Sequence, residues 1–575
     1  SDGDGVGDLR GILQKLDYLR ALGVDTLWLS PIYESPNHDN GYDISDYRRI
    51  HPDFGTMDDF HELLGGVHRR GMRLLMDLVV NHTSDEHPWF KAARRSNDHP
   101  LRHYYIWRRE PSNQWTSIFG GPAWERDEAT GEYYLHLFSK HQPDLNWENP
   151  DLRHEIYDMM RFWLDKGIDG FRMDVIPMIS KRLPPRSTTS SAPHHPPKPH
   201  IPTTSPTDFK TLLEEVYCNG PRVHEFLQEM NREVLSHYDI ATIGEGVGIP
   251  PEKANLYVGA DRGELNMIFH FGHMLIDNGP GGKFDIIDID PQEFKDIFIR
   301  WDRAIGHSGW LNIYLDNHDF PRLVSRFGDD SHPRSHNASA KLLAMLLLTL
   351  RGTPCLYQGT EIGMINVAFP SFDDYRDVEV KNQVEIWRRE GRDLDALLQA
   401  VHRQARDNTR TPFQWSRARH AGFTTGTPWI GVNPNYLTRD INAAAAQAHE
   451  DSIFHFYRKL LTLRRLHPTL IYGDLHPIDT PSMPPTLFVY LRTPPHPQSR
   501  DERLHQPAPL SNSYLIVLNR GPSPTPPLDS FGSQMLDEAL DSPHLHRLLS
   551  NASPPASPQS PLAPWECRLF LRNLR

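Results

Sequence analysis

The sequence predicts an α/β fold, in which a (β/α)8 TIM barrel is followed by a small β domain. Short apolar runs alternate with helical patterns over most of the 575 residues, without hairpin signals between them. Repeated strand–helix units favour a parallel sheet, and the length suits a barrel. A doubly wound sheet is the second option, but no glycine-rich dinucleotide motif follows any of the strands.

The predicted strands and helices alternate in a regular order. Helical periodicity covers residues 9–22, 57–70 and 152–166. The apolar runs that predict buried parallel strands lie at 27–32, 74–80, 171–175, 241–244, 311–315 and 354–357.

Two kinds of irregular segment interrupt this alternation. Residues 84–146 are rich in Trp, His, Tyr and charge, and we interpret them as an excursion between a strand and the next helix. The 50 prolines are concentrated at 182–207, predicted to be an exposed loop, and after residue 475. There the helical pattern stops, and strands are predicted at 486–491, 513–518 and 566–571. The predicted division is a barrel over 1–83 and 147–475, an inserted domain over 84–146 and a C-terminal β domain over 476–575.

The composition excludes several classes of protein. Acidic residues outnumber Lys and Arg by 74 to 61, giving a formal net charge of −13, so no basic face for nucleic acid is expected. The longest apolar run, at 342–350, is too short to cross a bilayer. The three cysteines are widely spaced, without a disulfide framework or metal-type pairing. We therefore expect a cytoplasmic protein, a monomer, without nucleic-acid or membrane partners.

Acidic and histidine side chains directly follow four of the predicted strands. They are Asp77 with His82, Asp174, Glu245, and the segment 316–319. The carboxyl ends of all strands in a parallel barrel meet at one face, so these side chains would converge in one pocket. A single acid after a strand usually caps the next helix. Burying several negative charges together is costly, however, so their convergence favours catalysis.

Carboxylates with an arginine, and no cofactor motif, point to retaining glycoside hydrolysis. Arg172 precedes Asp174 by two residues, so both side chains share one face of a strand, and the cation keeps the carboxylate ionised. Asp174 is therefore the candidate nucleophile. Glu245 lies between Gly244 and Gly246, which let a substrate approach, and is the candidate acid/base. A metal site is the alternative, but the histidines lack a metal-ligand spacing among these acids.

Six motifs resemble glycoside hydrolase family 13, the α-amylase family, and specifically its oligo-1,6-glucosidase and α-glucosidase branch. The resemblance runs from residue 4 to about 474, and the motifs stand in family order at 41–47, 77–82, 142–146, 170–175, 317–319 and 410–415. It implies a (β/α)8 barrel, a small domain inserted after the third strand and a C-terminal antiparallel β-sandwich. The family's first barrel strand lies upstream of the first residue given, so seven barrel strands are expected here.

The resemblance also implies roles for individual residues. Asp174 is the implied nucleophile, Glu245 the acid/base and Asp319 the third catalytic carboxylate. Asp77 supports the architecture of the site, and Arg406 is the implied late substrate-binding arginine, with Arg410 as the alternative. The positions implied to hold the glucosyl ring are Asp39, Tyr42, His82, Arg172 and His318.

The residue after the nucleophile bears on the substrate. In this branch it tends to be Val in enzymes that favour α-1,6 links, and here it is Val175; the structural alternative is a β-branched residue that simply fits a strand.

The implied activity is an exo-acting α-glucosidase that hydrolyses short α-glucosides by double displacement. A trehalose-6-phosphate hydrolase or a transglycosylating enzyme is the alternative, although residues 326–330 are unlike the arginine-rich loop of sucrose isomerases. A non-catalytic subunit, like the heavy chains of amino-acid transporters, is disfavoured because all three carboxylates are present.

The first eight residues alternate acids with glycines, so that oxygen ligands can wrap a hard cation. The alternative is an acidic turn that opens a helix. By the resemblance, this loop binds a structural Ca²⁺ remote from the chemistry, through Asp2, Asp4, the carbonyl of Val6 and Asp8. No organic cofactor is implied.

Overall fold

The computed structural model describes residues 1–111, 115–183, 209–495, 512–542, 544–552 and 557–573. The predicted proline-rich loop at 182–207 lies outside the described residues, except for its first two positions.

Strands occur throughout the chain. They are β1 (Thr26–Leu29), β2 (Tyr33–Glu34), β3 (Asp46–Ile50), β4 (Arg73–Leu78), β5 (Trp107–Arg108), β6 (Trp124–Arg126), β7 (Tyr133–Leu135), β8 (Gly170–Met173), β9 (Ala241–Gly246), β10 (Met267–His270), β11 (Asn278–Gly279), β12 (Gly282–Ile286), β13 (Leu311–Ile313), β14 (Thr353–Pro354), β15 (Asp474–Ile478), β16 (Leu487–Thr493), β17 (Asn512–Asn519), β18 (Leu545–Ser550) and β19 (Cys567–Asn573).

The α-helices are α1 (Leu9–Leu22), α2 (Met57–Arg69), α3 (Pro88–Ala93), α4 (Pro150–Leu164), α5 (Phe209–Leu212), α6 (Val223–Glu233), α7 (Ala254–Val258), α8 (Pro291–Ile305), α9 (Leu323–Phe327), α10 (Pro333–Thr349), α11 (Val378–Arg389), α12 (Leu394–Gln404), α13 (Asp407–Arg410), α14 (Asn435–Thr438), α15 (Ala443–Ala448), α16 (Ile453–Leu466), α17 (Thr469–Tyr472) and α18 (Gln534–Leu540). In the part of the chain that the structure describes, none of them is long and apolar enough to span a membrane.

Seven parallel strands form the main sheet, in the order β1-β4-β8-β9-β10-β13-β14. Helices separate most of them in the chain, as strand–helix alternation predicts. The sequence patterns miss β10, which pairs with β9 on one side and β13 on the other. The strands β1 and β14 form the two edges of the sheet, in agreement with the expectation of seven barrel strands.

Local sequence signals define where the helices begin. The carboxylate of Asp8 accepts a hydrogen bond from the amide of Gly11 and caps α1, which covers the predicted 9–22. Thr56 and Asp59 form a capping box at the start of α2. The helix predicted at 152–166 begins two residues earlier, because Asn149 caps it and Pro150 takes its first position.

The excursion at 84–146 contains a small antiparallel sheet, in the order β5-β7-β6. It follows β4, the second strand of the main sheet in this chain, and precedes α4. It therefore lies between a strand of the main sheet and the next helix, as predicted for this excursion. The division at residues 83, 146 and 475 stays a prediction.

A five-stranded antiparallel sheet, in the order β15-β16-β17-β19-β18, forms the C-terminal region. Side chains alternate between its faces. Phe488, Tyr490 and Ile516 join the core of the barrel, whereas Leu487, Val489 and Val517 join a second core with α18. The prediction that helices stop after residue 475 is wrong at α18, where Ser533 caps a helix that buries Leu536, Ala539 and Leu540.

Candidate active site

Neighbouring strands bring the predicted acids together at one end of the sheet. In the pairing of β4 with β8, Asp77 lies opposite Arg172. In the pairing of β8 with β9, Arg172 lies opposite Ile243, two residues before Glu245. Asp174 directly follows β8. Parallel register therefore places three carboxyls around the side chain of Arg172.

The guanidinium of Arg172 is the centre of the site. Its Nη1 lies 3.0 Å from Asp77 Oδ1 and 2.7 Å from Asp174 Oδ1, and its Nη2 lies 2.9 Å from Glu245 Oε1. All four side chains are buried. One cation thus orients both proposed catalytic carboxyls and the supporting carboxylate of Asp77.

The electrostatics of this group favour retention of a proton. Burial raises the pKa of Asp174 well above its usual value, in spite of Arg172, and the neighbouring charges of Glu245 and Asp77 raise it further. The expectation that Arg172 keeps this carboxylate ionised is therefore wrong, because one guanidinium does not offset burial and two further carboxyls. Burial also raises the pKa of Asp77, against the opposing effect of Arg172. Three carboxyls around one guanidinium carry more negative charge than it neutralises, so the group favours at least one neutral carboxyl.

Two aromatic side chains fix Asp77 from the other side. The hydroxyl of Tyr42 donates to Asp77 Oδ2 over 3.0 Å, and the indole of Trp28 donates to the same oxygen over 3.2 Å. The ring of Tyr42 is parallel to that of His318, with centroids 5.3 Å apart. These rings form an apolar surface beside the carboxyls.

Asp319 has the opposite electrostatic environment. His318 Nε2 lies 3.0 Å from its Oδ2, and the guanidinium groups of Arg410 and Arg406 lie 3.0 Å and 3.4 Å from its Oδ1. Burial opposes ionisation, but these three neighbours outweigh it and hold the pKa of Asp319 well below its usual value. Asp319 is therefore an anion, and both candidate arginines contact it.

Arg406 continues this network across the site. Its Nη2 lies 3.1 Å from Asp39 Oδ1 and 2.6 Å from Asp377 Oδ1. The amide of Gln142 donates to Asp39 Oδ2 over 3.1 Å and lies 3.2 Å from His82 Nε2. Burial lowers the pKa of His82, so this imidazole is neutral.

Val175 has an unusual backbone conformation beside the proposed nucleophile. Its φ of 33° and ψ of 41° lie in the left-handed region, which a β-branched residue rarely adopts. In this conformation its amide donates to Glu245 Oε2 over 2.8 Å. The turn therefore links the residue after Asp174 to the second catalytic carboxyl, and backbone strain at such a position is typical of functional sites.

Every residue predicted for the chemistry or for sugar binding lies in this connected group. Sequence reasoning gave no role to three residues that the structure adds to it, namely Trp28, Gln142 and Asp377. Gln142 stands inside the 142–146 motif, which was a usable signal. Asp377 precedes α11 and caps it, so its sequence context indicates only a helix start.

The predicted calcium ligands lie elsewhere. The loop formed by residues 1–8 packs against residues 425–429, where the amide of Trp429 donates to the carbonyl of Gly5. The amides of Asp4 and Val6 donate to the carboxylates of Asp2 and Asp4. The donor types suit Ca²⁺, but the carboxylate oxygens of Asp2, Asp4 and Asp8 do not all come within 4.8 Å of one another.

Comparison with known proteins places the chain in a family. A family model described as alpha amylase, catalytic domain, matches residues 1–473. The oligo-1,6-glucosidase of Parageobacillus thermoglucosidasius is 52% identical over 536 residues, covering 92% of this chain and 88% of that protein. The trehalose-6-phosphate hydrolase of Bacillus subtilis strain 168 is 46% identical over 499 residues, covering 85% and 84%.

Solved structures of sucrose isomerases have the same architecture. The isomaltulose synthase of Klebsiella sp. LX3 has a TM-score of 0.87 and 39% identity, covering 100% of this chain and 96% of its own. The chain therefore belongs to the α-amylase family, glycoside hydrolase family 13.

Proposed function

We propose that the chain is a retaining, exo-acting α-glucosidase that hydrolyses short α-glucosides and prefers α-1,6 links. The observation that carries the proposal is the single guanidinium of Arg172, which binds Asp77, Asp174 and Glu245 together. Retaining glycosidases need two carboxyls at short spacing, about 5 Å apart, and contact with adjacent nitrogens of one guanidinium suits that spacing. The similarity to oligo-1,6-glucosidases over most of the chain supports the same activity.

The proposed reaction has two displacements. Asp174 attacks the anomeric carbon and forms a glucosyl ester, while Glu245 donates its proton to the glycosidic oxygen, which leaves as the alcohol. Glu245 then takes a proton from water, the water oxygen attacks the same carbon, and the ester bond to Asp174 breaks. Two inversions release glucose with the α configuration. The crowded carboxyls share a proton, and the reaction starts from the state in which Glu245 holds it and Asp174, paired with Arg172, is the carboxylate.

The surrounding residues support binding of a terminal sugar. Asp39, Arg406 and Asp319 form continuous ion pairs across the site. We propose that these ion pairs close the site behind a terminal sugar, which would give exo action. We propose that Asp319, His318 and Asp39 accept or donate hydrogen bonds at the hydroxyls of the glucosyl ring, and that Arg410 positions Asp319.

Linkage preference is assigned to Val175. Its side chain belongs to a cluster that includes Met178 and Trp124, so it lies between the nucleophile and the inserted region. We expect kcat/KM for isomaltose to exceed that for maltose, and Val175→Thr to shift this ratio toward maltose. Initial rates on both sugars measure the ratio, and a strong maltose preference of the wild type would contradict the assignment.

The nucleophile is tested by Asp174→Asn. We expect kcat on isomaltose to fall by at least about 10⁴-fold, because the amide cannot form the ester. Asp261→Asn, on an exposed turn, is the matched control and should keep wild-type rates. Undiminished turnover by the Asp174→Asn enzyme would contradict the assignment.

Sucrose isomerisation is the second candidate, favoured by the likeness to isomaltulose synthase. Against it, residues 326–330 are unlike the arginine-rich loop of sucrose isomerases. The guanidinium of Arg326 in this segment is engaged within the protein, because it pairs with Asp277 at 2.5 Å and donates to the carbonyl of Met274. We expect glucose and fructose from sucrose, and chromatography would detect isomaltulose or trehalulose. Trehalose-6-phosphate belongs in the same substrate panel because of the related hydrolase.

We also propose a structural Ca²⁺ in the loop of Asp2, Asp4, Val6 and Asp8. An ion would have to draw these carboxylates together, and the reaction needs no step through it. Chelation with EGTA is expected to lower Tm, and added Ca²⁺ to restore it, with little change in kcat at temperatures where the protein stays folded. A Tm that does not respond to either treatment would contradict the site.

The cytoplasmic location and the monomeric state stay predictions from the sequence. The free thiols of Cys218 and Cys567 are buried, and Cys355 is partly buried. Free cysteines are typical of a reducing compartment, which supports the location. Size-exclusion chromatography with light scattering tests the monomer.

A further inference from the structure

A second cluster of ionisable side chains lies beside the sugar-binding residues. Among the His, Cys, Asp and Glu side chains that the structure describes, His38, Asp85 and His141 form the only set of three whose potential ligand atoms all lie within 4.8 Å of one another. His141 Nδ1 lies 2.9 Å from Asp85 Oδ2. The rings of His38 and His141 stack with centroids 3.9 Å apart. None of the three side chains has a role in the proposed reaction.

Two imidazoles and one carboxylate are a ligand set suited to a divalent transition-metal ion. Zn²⁺ binds His nitrogen and carboxylate oxygen at about 2.0–2.2 Å, so neighbouring ligand atoms around it lie roughly 3 Å apart. The contact between His141 and Asp85 already has this length. Imidazole also suits Ni²⁺ and Cu²⁺, whereas Ca²⁺ and Mg²⁺ prefer oxygen ligands.

An unsatisfied atom points to a cation at the same place. Asp85 Oδ1 is buried and has no hydrogen-bond partner among the residues that the structure describes. A buried carboxylate oxygen without a donor is costly, and a bound cation would remove that cost. The backbone fixes this part of the cluster, because the amide of Asp85 donates to the carbonyl of His141 over 2.9 Å.

His38 has to turn before it can share an ion with His141. A metal lies close to the plane of each imidazole that binds it, and the planes of two stacked rings only 12° from parallel meet too far away for one ion to bind both. His38 is exposed, so its ring is free to rotate. Its backbone is held, since its amide donates to Asp43 Oδ2 over 2.9 Å.

We propose that His38, Asp85 and His141 bind one divalent transition-metal ion, best matched by Zn²⁺, and that the bound ion slows turnover. His38 directly precedes Asp39, and His141 directly precedes Gln142; these two neighbours are joined by the 3.1 Å hydrogen bond described above. An ion bound by all three side chains would join the loop of His38 to the inserted region, next to this hydrogen bond. The inhibition follows if a sugar enters and leaves by movement of these two segments, because an ion that joins them would oppose that movement. The binding step is independent of the proposed glucosidase activity, whereas the inhibition rests on it.

Direct binding tests the site. The protein, freed of metal by chelation and buffer exchange, is titrated with ZnCl₂ by calorimetry, and Co²⁺ absorption spectra report imidazole ligation. We expect one Zn²⁺ per chain at this site. His141→Ala and His38→Ala should each weaken it at least tenfold. His61→Ala, which removes an exposed histidine of α2, is the matched control and should bind as the wild type does.

Inhibition is measured separately with the same variants. Zn²⁺ should lower the initial rate of the wild type and of His61→Ala, reversibly with EDTA, and should lower it far less in His38→Ala and His141→Ala. Equal Zn²⁺ affinity in all four proteins would overturn the site. Zinc bound at the cluster without a change in rate would overturn the effect on turnover. Circular dichroism and Tm of each variant confirm that it is folded.

Discussion

At the scale of single residues, the balance of charge around Arg172 determines the chemistry. One guanidinium faces the carboxyls of Asp77, Asp174 and Glu245, and all of them are buried. Around Asp319 the balance is reversed, because His318, Arg406 and Arg410 surround one carboxylate. The site thus combines a group of carboxyls that retains a proton, from which the proposed acid/base and nucleophile come, with a separate anion at Asp319.

The crowded carboxyls reduce stability. Burial and the neighbouring carboxyls raise the folded-state pKa of Asp174, so folding opposes the ionised form that attack on the sugar requires. The cost of ionising it is absent below the unfolded-state pKa, about 3.9, and grows as the pH rises toward the folded-state pKa. Asp174→Asn is therefore expected to raise Tm at pH 7 by at least about 1 °C, with a difference that shrinks as the pH falls toward 4.

Thermal scans at one fixed rate measure this difference across pH, since large proteins often unfold irreversibly. Asp261→Asn serves as the control, and its Tm should follow that of the wild type. A lower Tm for Asp174→Asn at pH 7 would contradict the electrostatic account.

Sequence reasoning worked for residues whose role follows from local spacing. Arg172 and Asp174 share a strand face by their two-residue separation, and the structure joins them directly. Gln142 and Asp377 were missed because their partners are distant in the chain: Gln142 bonds Asp39 across 103 positions, and Asp377 bonds Arg406 across 29. Such pairs depend on how segments fold against one another: the 142–146 motif marks Gln142 but does not identify its partner, and Asp377 has only a helix-start signal.

At the scale of elements, a buried lysine joins the inserted region to the barrel. Lys181 Nζ lies 2.8 Å from Asp144 Oδ2 and donates to Asn81 Oδ1 over 2.7 Å and to the carbonyl of Met178 over 2.6 Å. Asp144 belongs to the segment before α4, and Asn81 follows β4. The ammonium therefore connects both ends of the excursion to the turn after β8.

Removal of this lysine should loosen the connection. Lys181→Met leaves the carboxylate of Asp144 buried without its cation, at an expected cost of about 3–5 kcal/mol. Tm should fall. KM should rise, because Gln142 lies beside Asp144 in the sequence and His82 lies beside it in the fold. Lys140→Met, at an exposed position of the same region, is the control.

Adding Asp144→Asn to the Lys181→Met protein should recover part of the lost stability, since the neutral amide needs no cation. No recovery in this double variant, together with an unchanged Tm in the single one, would show that the ion pair contributes nothing.

Elements with strong periodicity were predictable, and short ones were not. The helix α1 has its predicted bounds because Asp8 and Gly23 mark both ends. The strand β10 has four residues, too few for a distinctive pattern, and pairing with β9 and β13 stabilises it. The helix α18 has seven residues in a proline-rich region, and its burial against the C-terminal sheet overrides that composition.

At the scale of the whole molecule, the C-terminal sheet is bonded firmly to the barrel. The buried guanidinium of Arg492 donates to the carbonyls of Leu470 and Gly473 over 2.9 Å and 2.8 Å. The hydroxyls of Thr349 and Tyr490 form a hydrogen bond between α10 and β16. The fold class and the order of its parts were predictable from alternating patterns, while these cross-region contacts were not.

The central claim is that Asp174 attacks the anomeric carbon and that the reaction retains configuration. The most direct measurement is intact-mass analysis and peptide mapping after incubation with 5-fluoro-α-glucosyl fluoride, a sugar that slows hydrolysis of the ester. We expect one added fluoroglucosyl group per chain, located on the peptide that contains Asp174, and no added group in the Asp174→Asn enzyme. A label on another residue, or turnover of the reagent to a β-configured product without any ester, would contradict it.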